Sequence, residues 1–502
     1  MIESNTLARV EAVIDASGVA ARIEALLPIG VRPRQLKVRT LLVGMLFALA
    51  DGRPAHLARV HAALLGLAEA DRARLGVVAT WRSGRHALTY RQVEYTFSVV
   101  AAALSKDHPD GIPSEAAQAS LDALVEASVA TLSGGAASSS LAVDWTDVES
   151  FSTRRTKPTG AYADPEAAWG HRKGGGPGEK DELFFGYYLS LATTVADEGG
   201  PPVAELVRRA NLVSAHHDPV PPMVGVLVDM AASGVAPGDV IVDSGYSHRV
   251  PSHFALPLRA AGASLVMDLH PSERGTRGTH SGGIAANGNL YCPAVPKALL
   301  ELGPLPRGAS PDEIVSHDTK AAEAARYKLS PINSPDADGY HRVACPAVAG
   351  KLRCPARPAS MALGYDRPEI ASPPEHPPTC CTQATITVPP SVNAKTAQRH
   401  DYPGPAWRAS YARRSAAERS NARIKDPASV DISRGWCRVM GLAPMALFLV
   451  CALVVRNLAV ADAFEERQRD AQRRAQAGLP PRTRRRRRKT LADLAGTATS
   501  PP

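Results

Sequence analysis

Tyr411, Arg414, Glu418 and Lys425 are the residues of this chain whose types and spacing point most directly to chemistry. The stretch around them, YARRSAAERSNARIKD from Tyr411 to Asp426, is rich in Ala, Arg and Glu and has no Gly or Pro before Pro427, which predicts a helix. At about 100° per residue the four residues fall within roughly 60° of one another. One face of that helix then presents a carboxylate flanked by a phenol, a guanidinium and an ammonium. The simplest role is a solvated face with Glu–Arg pairs at helical spacing. Arg and Lys also pair with phosphate and neutralise charge developing on it, so the same face suits phosphoryl chemistry. That second role requires further carboxylates from elsewhere in the chain.

Two aspartates upstream supply them. Leu141, Ala142 and Val143 form a short apolar run ending in Asp144, and Val240, Ile241 and Val242 form another ending in Asp243. Each reads as a buried strand with an acid at its C-terminal end, and Gly245 permits a tight turn after the second. Acids at adjacent strand ends approach closely, and a facing helix can add a third. Such a cluster repels itself and takes up protons unless cations relieve it. Hard oxygen ligands suit Mg²⁺ or Mn²⁺. Two such ions about 3.5–4 Å apart activate water or a 3′-hydroxyl and stabilise the leaving oxygen of a phosphodiester. Asp144, Asp243 and Glu418 are therefore the candidate catalytic and metal-ligating residues. Any one Asp at a strand end is ordinarily a turn or helix cap, so the case rests on the three together. Asp147 and Asp268 are the alternative acids, each close to a strand end.

The spacing Y-(2)-R-(3)-E-(6)-K resembles the signature carrying the last acid of DDE transposases in the IS-four-like superfamily of bacterial insertion sequences. The resemblance covers most of Ser140–Phe464. It implies an α/β chain whose RNase H-like catalytic core is interrupted by a loop-rich β insertion and preceded by a helical N-terminal domain. The implied activity is cut-and-paste DNA transposition, with metal-dependent cleavage at transposon ends and strand transfer into target DNA. Mg²⁺ or Mn²⁺ would sit in a two-metal site on Asp144, Asp243 and Glu418, with Tyr411, Arg414 and Lys425 contacting DNA near the scissile phosphate. Double-stranded DNA, as transposon ends and as target, is the implied partner, engaged by a homodimer. The alternative is a catalytically inactive DNA-binding relic or regulator of the same fold. A nuclease sharing the core would use the same metals and differ only in lacking strand transfer. Trp145 and Tyr246, beside the two aspartates, are expected to pack in the core rather than stack on bases.

The elements that must position these residues follow in order. Residues 1–135 read as helical: Val10–Leu27, Arg39–Ala50 and Ala55–Leu67 carry apolar residues at three and four spacing, with basic residues on polar positions. An ordinary bundle with a basic surface and a DNA-binding domain fit these residues equally, and the resemblance to insertion-sequence transposases implies DNA binding. Thr131–Ser140 (TLSGGAASSS) reads as a linker. Residues 140–270 hold the first part of the core: the Asp144 strand, a strand–turn–strand over Ala167–Thr194 with the bend HRKGGGPGEK, a helix over Pro222–Ala232, the Asp243 strand, and SLVMDL ending near Asp268. Residues 271–405 form the Gly/Pro-rich insertion, without a long periodic segment. Residues 406–465 complete the core, and 466–502 read as a disordered cationic tail with Arg484–Lys489 at its centre.

Whole-chain properties bound the answer. At 502 residues there is room for several domains. An excess of 58 Lys and Arg over 49 Asp and Glu gives a net charge of +9, which suits a polyanionic partner. Met1–Ala20 carries Glu3, Glu11 and Asp15 and has no continuous apolar core, so a reducing cytoplasm is expected; the resemblance implies a bacterial one, at the nucleoid. Val439–Val455 is apolar enough to raise a membrane span, but its place directly behind the Glu418 helix predicts a buried core helix and no membrane. Of the 7 cysteines, Cys292, Cys345, Cys354, Cys380 and Cys381 lie in the insertion. They lack a CxxC pair, which argues against zinc, and the scattered His216, His217, His248, His253 and His270 show no ligand spacing.

Overall fold

The computed structural model describes residues 2–28, 34–77, 88–106, 111–130, 138–152, 162–172, 180–306, 308–427 and 429–482. Most of the linker, the bend after Arg172 and the run Arg484–Lys489 lie outside these residues. The N-terminal region forms α1 (Ile2–Ser17), α2 (Val19–Leu26), α3 (Val38–Ala50), α4 (Leu57–Gly66), α5 (Glu69–Arg74), α6 (Tyr90–Leu104) and α7 (Glu115–Ala130). Then come β1 (Leu141–Glu149), β2 (Ala168–Arg172), β3 (Glu182–Thr194), β4 (Val207–Ser214), α8 (Val220–Ala232), β5 (Asp239–Val242), the single turn α9 (Ser244–Ser247), α10 (Ala255–Ala260) and β6 (Ser264–Met267). The tract that follows holds β7 (Thr276–His280), β8 (Gly283–Ala286), β9 (Asn289–Tyr291), α11 (Lys297–Leu300), α12 (Pro311–Tyr327), β10 (Ser330–Pro331), β11 (His341–Ala344), α13 (Thr379–Thr382) and β12 (Thr385–Val388). The chain closes with α14 (Pro405–Tyr411), α15 (Ser415–Ile424) and α16 (Leu442–Gln476).

The main sheet is mixed, in the order β2-β3-β1-β5-β6, with β4 also on β3. β3 is long enough to pair antiparallel with β2 through its first half and with β4 through its second, while β1 runs antiparallel along its other edge. β1, β5 and β6 are mutually parallel, which requires the crossovers through α8 and α10. The sequence pattern does not announce β4, because Arg208 and Arg209 break its apolar run. Both are buried and paired to Glu126 of α7, which is what makes two arginines tolerable inside a sheet.

Both faces of the sheet are covered, as an α/β layer structure demands. One core joins residues of α1 to α4, α6 and α7, Tyr187, Leu189 and Leu191 of β3, Val207 of β4, and the apolar run of α16. The N-terminal helices therefore share a core with the sheet and with α16. The other core joins β1, β5 and β6 to α8, α10, Trp407 and Ala416–Ala417.

Several boundaries differ from those expected. Gly18, at φ +62°, divides the predicted Val10–Leu27 helix into α1 and α2. α12 occupies 17 residues of a tract expected to lack long helices. Its signal is a local one: Ser310 and Glu313 cap each other reciprocally, with Pro311 in the first turn. α16 extends to Gln476, past the expected start of a disordered tail at 466, because its end is rich in Arg, Gln, Glu and Ala and carries a Glu465–Arg469 pair at 3.0 Å. α16 is long and apolar enough to cross a membrane by length and composition, and 78 % of its most apolar window is buried inside the protein.

Candidate active site

β1 begins buried and ends in polar company. Leu141, Ala142 and Val143 are fully enclosed, and Asp144 is the first residue of the strand to emerge. The apolar run predicts that Asp144 ends its strand, whereas β1 continues to Glu149. The acid is freed on one side instead, because β5 stops: the parallel ladder pairs Leu141 with Val240 and Ala142 with Ile241. Continuing that register sets Asp144 beside Asp243, the residue that follows β5 and caps α9.

The two aspartates are held alike. Asp144 Oδ1 accepts from its neighbour's backbone, Trp145 N–H, at 2.9 Å, and Asp243 Oδ1 accepts from Gly245 N–H at 2.9 Å. Both Oδ2 atoms turn toward Arg414: Nη2 lies 3.7 Å from Asp144 Oδ2 and 3.6 Å from Asp243 Oδ2. The Asn421 amide adds a donor to Asp144 Oδ2 at 3.3 Å. Gly245 has no positive φ, so the expected freedom of its backbone is not what the site uses. A Cβ there would stand 2.6 Å from the Trp145 ring and 3.0 Å from Asp243 Oδ1. Close packing behind the acid is the reason for glycine. Trp145 leans on Tyr246 with ring centroids 4.9 Å apart, and Tyr246 is buried, so both pack beneath the acids.

The third acid comes from α15. The single helix predicted over Tyr411–Asp426 is a helical run with a tighter 3-10 turn at Ala412–Arg414 and an end at Lys425. Tyr411 therefore closes α14, where it stacks on Trp407 with centroids 5.0 Å apart. Arg414 and Glu418 remain one turn apart, and Arg414 Nη1 donates to Glu418 Oε1 at 2.5 Å. The structure thus gathers Asp144, Asp243 and Glu418 around one guanidinium.

Exposure is graded across the trio, with side chains 15 %, 30 % and 46 % accessible for Asp144, Asp243 and Glu418. Burial pushes the Asp144 carboxyl up to about 7. The Arg414 charge pulls against that rise, and Asp243 and Glu418 add to it. Burial also disfavours the Arg414 charge, but Tyr411 and the acids outweigh it and keep the guanidinium firmly protonated. Burial, then Asp144 and Asp243, lift the Tyr246 phenol far above its ordinary value.

Lys425 is placed differently from its helix mates. Its ammonium donates to Asp147 Oδ1 at 2.9 Å, and Arg172 meets the other Asp147 oxygen at 2.5 Å. Asp147 is thereby held by two cations outside the trio. Asp268 accepts from the Tyr402 hydroxyl at 2.9 Å and faces Arg274 at 3.2 Å. Neither alternative acid joins Arg414. Asn421 is the site residue that sequence reasoning missed, although its place one turn before Lys425 marks it. Among the N-terminal arginines, Arg34 pairs with Glu24, Arg39 with Asp15 and Glu11, and Arg53 with Asp51.

The cysteines are all free and buried, and burial pushes the Cys292 thiol up to about 12. Among the described residues no three Cys, His, Asp or Glu side chains already stand as a metal-holding group. Comparison with known proteins gave no match, either to a protein-family model or to a curated protein.

Proposed function

We propose that this chain is a DDE-type DNA transposase, cutting at transposon ends and transferring the strand to target DNA. The observation that carries the reading is convergence: acids from β1, from the end of β5 and from α15, far apart in sequence, face one guanidinium. The sheet order, with β3 and β4 antiparallel on one side of β1 and parallel β5 and β6 on the other, supports an RNase H-like core. The tract between β6 and α14, with its two small three-stranded sheets, is the corresponding insertion.

The donor set fits a hard divalent cation. Three carboxylates share one arginine, and both aspartates keep Oδ2 turned into the common space while Oδ1 is fixed by backbone N–H. Asp144, Asp243 and Glu418 would hold Mg²⁺ or Mn²⁺, which when bound supplies an activated oxygen nucleophile and stabilises the leaving oxygen. The chain's own residues prepare that site. Trp145 and Gly245 N–H orient the aspartates, Asn421 steadies Asp144, and the Trp145–Tyr246 pair excludes water from below. Asp144 serves as a ligand only when ionised, so its raised pKa in the metal-free protein makes proton release part of metal uptake. Arg414 and the half-buried Tyr411 line the approach for a DNA phosphate, Lys425 reaches one only by leaving Asp147, and double-stranded DNA is bound by a homodimer.

The test is cleavage of labelled DNA from the flanks of the reading frame in Mg²⁺, comparing wild type with Asp144→Asn, Asp243→Asn and Glu418→Gln. Loss of nicking and strand transfer in all three, with end binding retained, is the expected result. A wild type that binds ends yet never cuts them in Mg²⁺ or Mn²⁺ is a regulator instead.

A further inference from the structure

Arg414 stands where a shared cation of the three acids belongs. Its Nη1 is at 2.5 Å from Glu418, and its Nη2 is nearly equidistant from Asp144 and Asp243. The side chain is 17 % exposed, so the guanidinium is enclosed by the acids rather than reaching past them. The fit is incomplete as a purely structural bridge. Nε is buried without a hydrogen-bond partner, and both Asp contacts are longer than hydrogen bonds. A guanidinium placed this way balances charge at moderate cost to itself and can be exchanged for a smaller, more highly charged ion. Lys425 offers no substitute, being committed to Asp147.

We propose that Arg414 is the resident cation of this site: it holds the acids together in the metal-free protein and competes with the divalent ion for the same oxygens. On metal uptake it yields its contacts with Asp144 and Asp243 and is released toward a DNA phosphate. The proposal rests on the metal-dependent reading above and adds a coupling to it. Metal uptake and phosphate engagement then favour each other, because each relieves the cost of the other. The guanidinium thereby also restrains premature metal loading in the absence of DNA.

The test is Mn²⁺ binding to the full chain without DNA, followed by the electron paramagnetic resonance signal of free Mn²⁺. Arg414→Gln should bind Mn²⁺ more tightly than wild type, by on the order of tenfold, and Asp144→Asn more weakly. Because contact competition is screened little by salt, the gain should persist at high ionic strength. A gain that fades with salt reflects net charge alone and overturns the proposal, as does equal or weaker binding by Arg414→Gln. Equal binding that is still lost in Asp144→Asn overturns only the competition and leaves the metal-site reading intact. Absence of uptake at the acids in every protein, wild type included, overturns both. Should Arg414→Gln fail to fold, a Mn²⁺-soaked structure of wild type decides the matter. Arg414 withdrawn from both aspartates supports the proposal, and Arg414 unmoved beside bound Mn²⁺ overturns it.

Discussion

Replacing Asp144 with Asn is expected to stabilise the metal-free protein at neutral to alkaline pH while abolishing cleavage. The carboxyl is enclosed, and burial is the largest influence raising it from 3.8 to about 7. An acid with a raised native pKa contributes its full stability only below its unfolded value, and that contribution is lost as pH climbs through the native one. The window here runs from about 4 to about 7. Some three pH units at about 1.4 kcal/mol each place the loss on the order of 4 kcal/mol. Asn retains an oxygen for Trp145 N–H and removes the charge that must be desolvated. Thermal unfolding in a chelator, read across pH, measures the difference. At about pH 8 the Asn variant should melt several degrees higher, taking roughly 1 °C per kcal/mol for a chain of 502 residues, and the gap should shrink toward about pH 5. A gap that does not change with pH, or an Asn variant that melts lower at about pH 8, would refute the claim that desolvation of Asp144 dominates the site.

Three further outcomes follow from the same geometry. Metal uptake should weaken about tenfold per pH unit below about 7, because a proton on Asp144 of the metal-free protein competes with the ion; Mn²⁺ binding followed across pH, with unit slope, checks this. Gly245→Ala should cost roughly 1–3 kcal/mol by overpacking, since the added carbon meets Trp145 and Asp243. Cleavage should drop with it, and a variant as stable and active as wild type in urea melts and end cleavage counts against that packing. Arg456, almost fully buried, donates to the Glu205 carbonyl at 2.7 Å, Asn457 at 3.0 Å and Ser420 at 2.7 Å, tying α16 to α15 and to the chain entering β4. Arg456→Ala removes all three bonds, although Asn457 keeps Val207 N–H and Ser420 keeps the Thr193 hydroxyl, and should lower stability by roughly 1–3 kcal/mol, seen as a lower urea midpoint.

The acids are legible in the sequence because their signal is local. An apolar run ending in Asp marks Asp144 and Asp243, and i, i+4 spacing puts Arg414 against Glu418 whatever else the chain does. The buried helix behind Glu418 is equally plain from its unbroken apolar run. Elements whose polar residues find partners far away are hidden. β4 contains two arginines that only Glu126 of α7 makes acceptable in a sheet, and α12 lies inside a tract dominated by Gly and Pro. Lys425 shares the helix face predicted for it, yet its charge goes to Asp147, which belongs to β1 and is 278 residues away.

Residue types and local spacing thus settle which groups are available: three acids, a guanidinium one helical turn from the last of them, and short buried strands to carry the other two. Which of the five candidate acids meet is a matter of packing. β5 ends where β1 continues, opening a space beside Asp144 that Asp243 and Arg414 fill. Asp147 and Asp268 are drawn off by Lys425, Arg172, Tyr402 and Arg274. Spacing along a chain fixes the side-chain periodicity of one element, but the end of a neighbouring strand and the partner of a long cationic side chain depend on how separate elements pack.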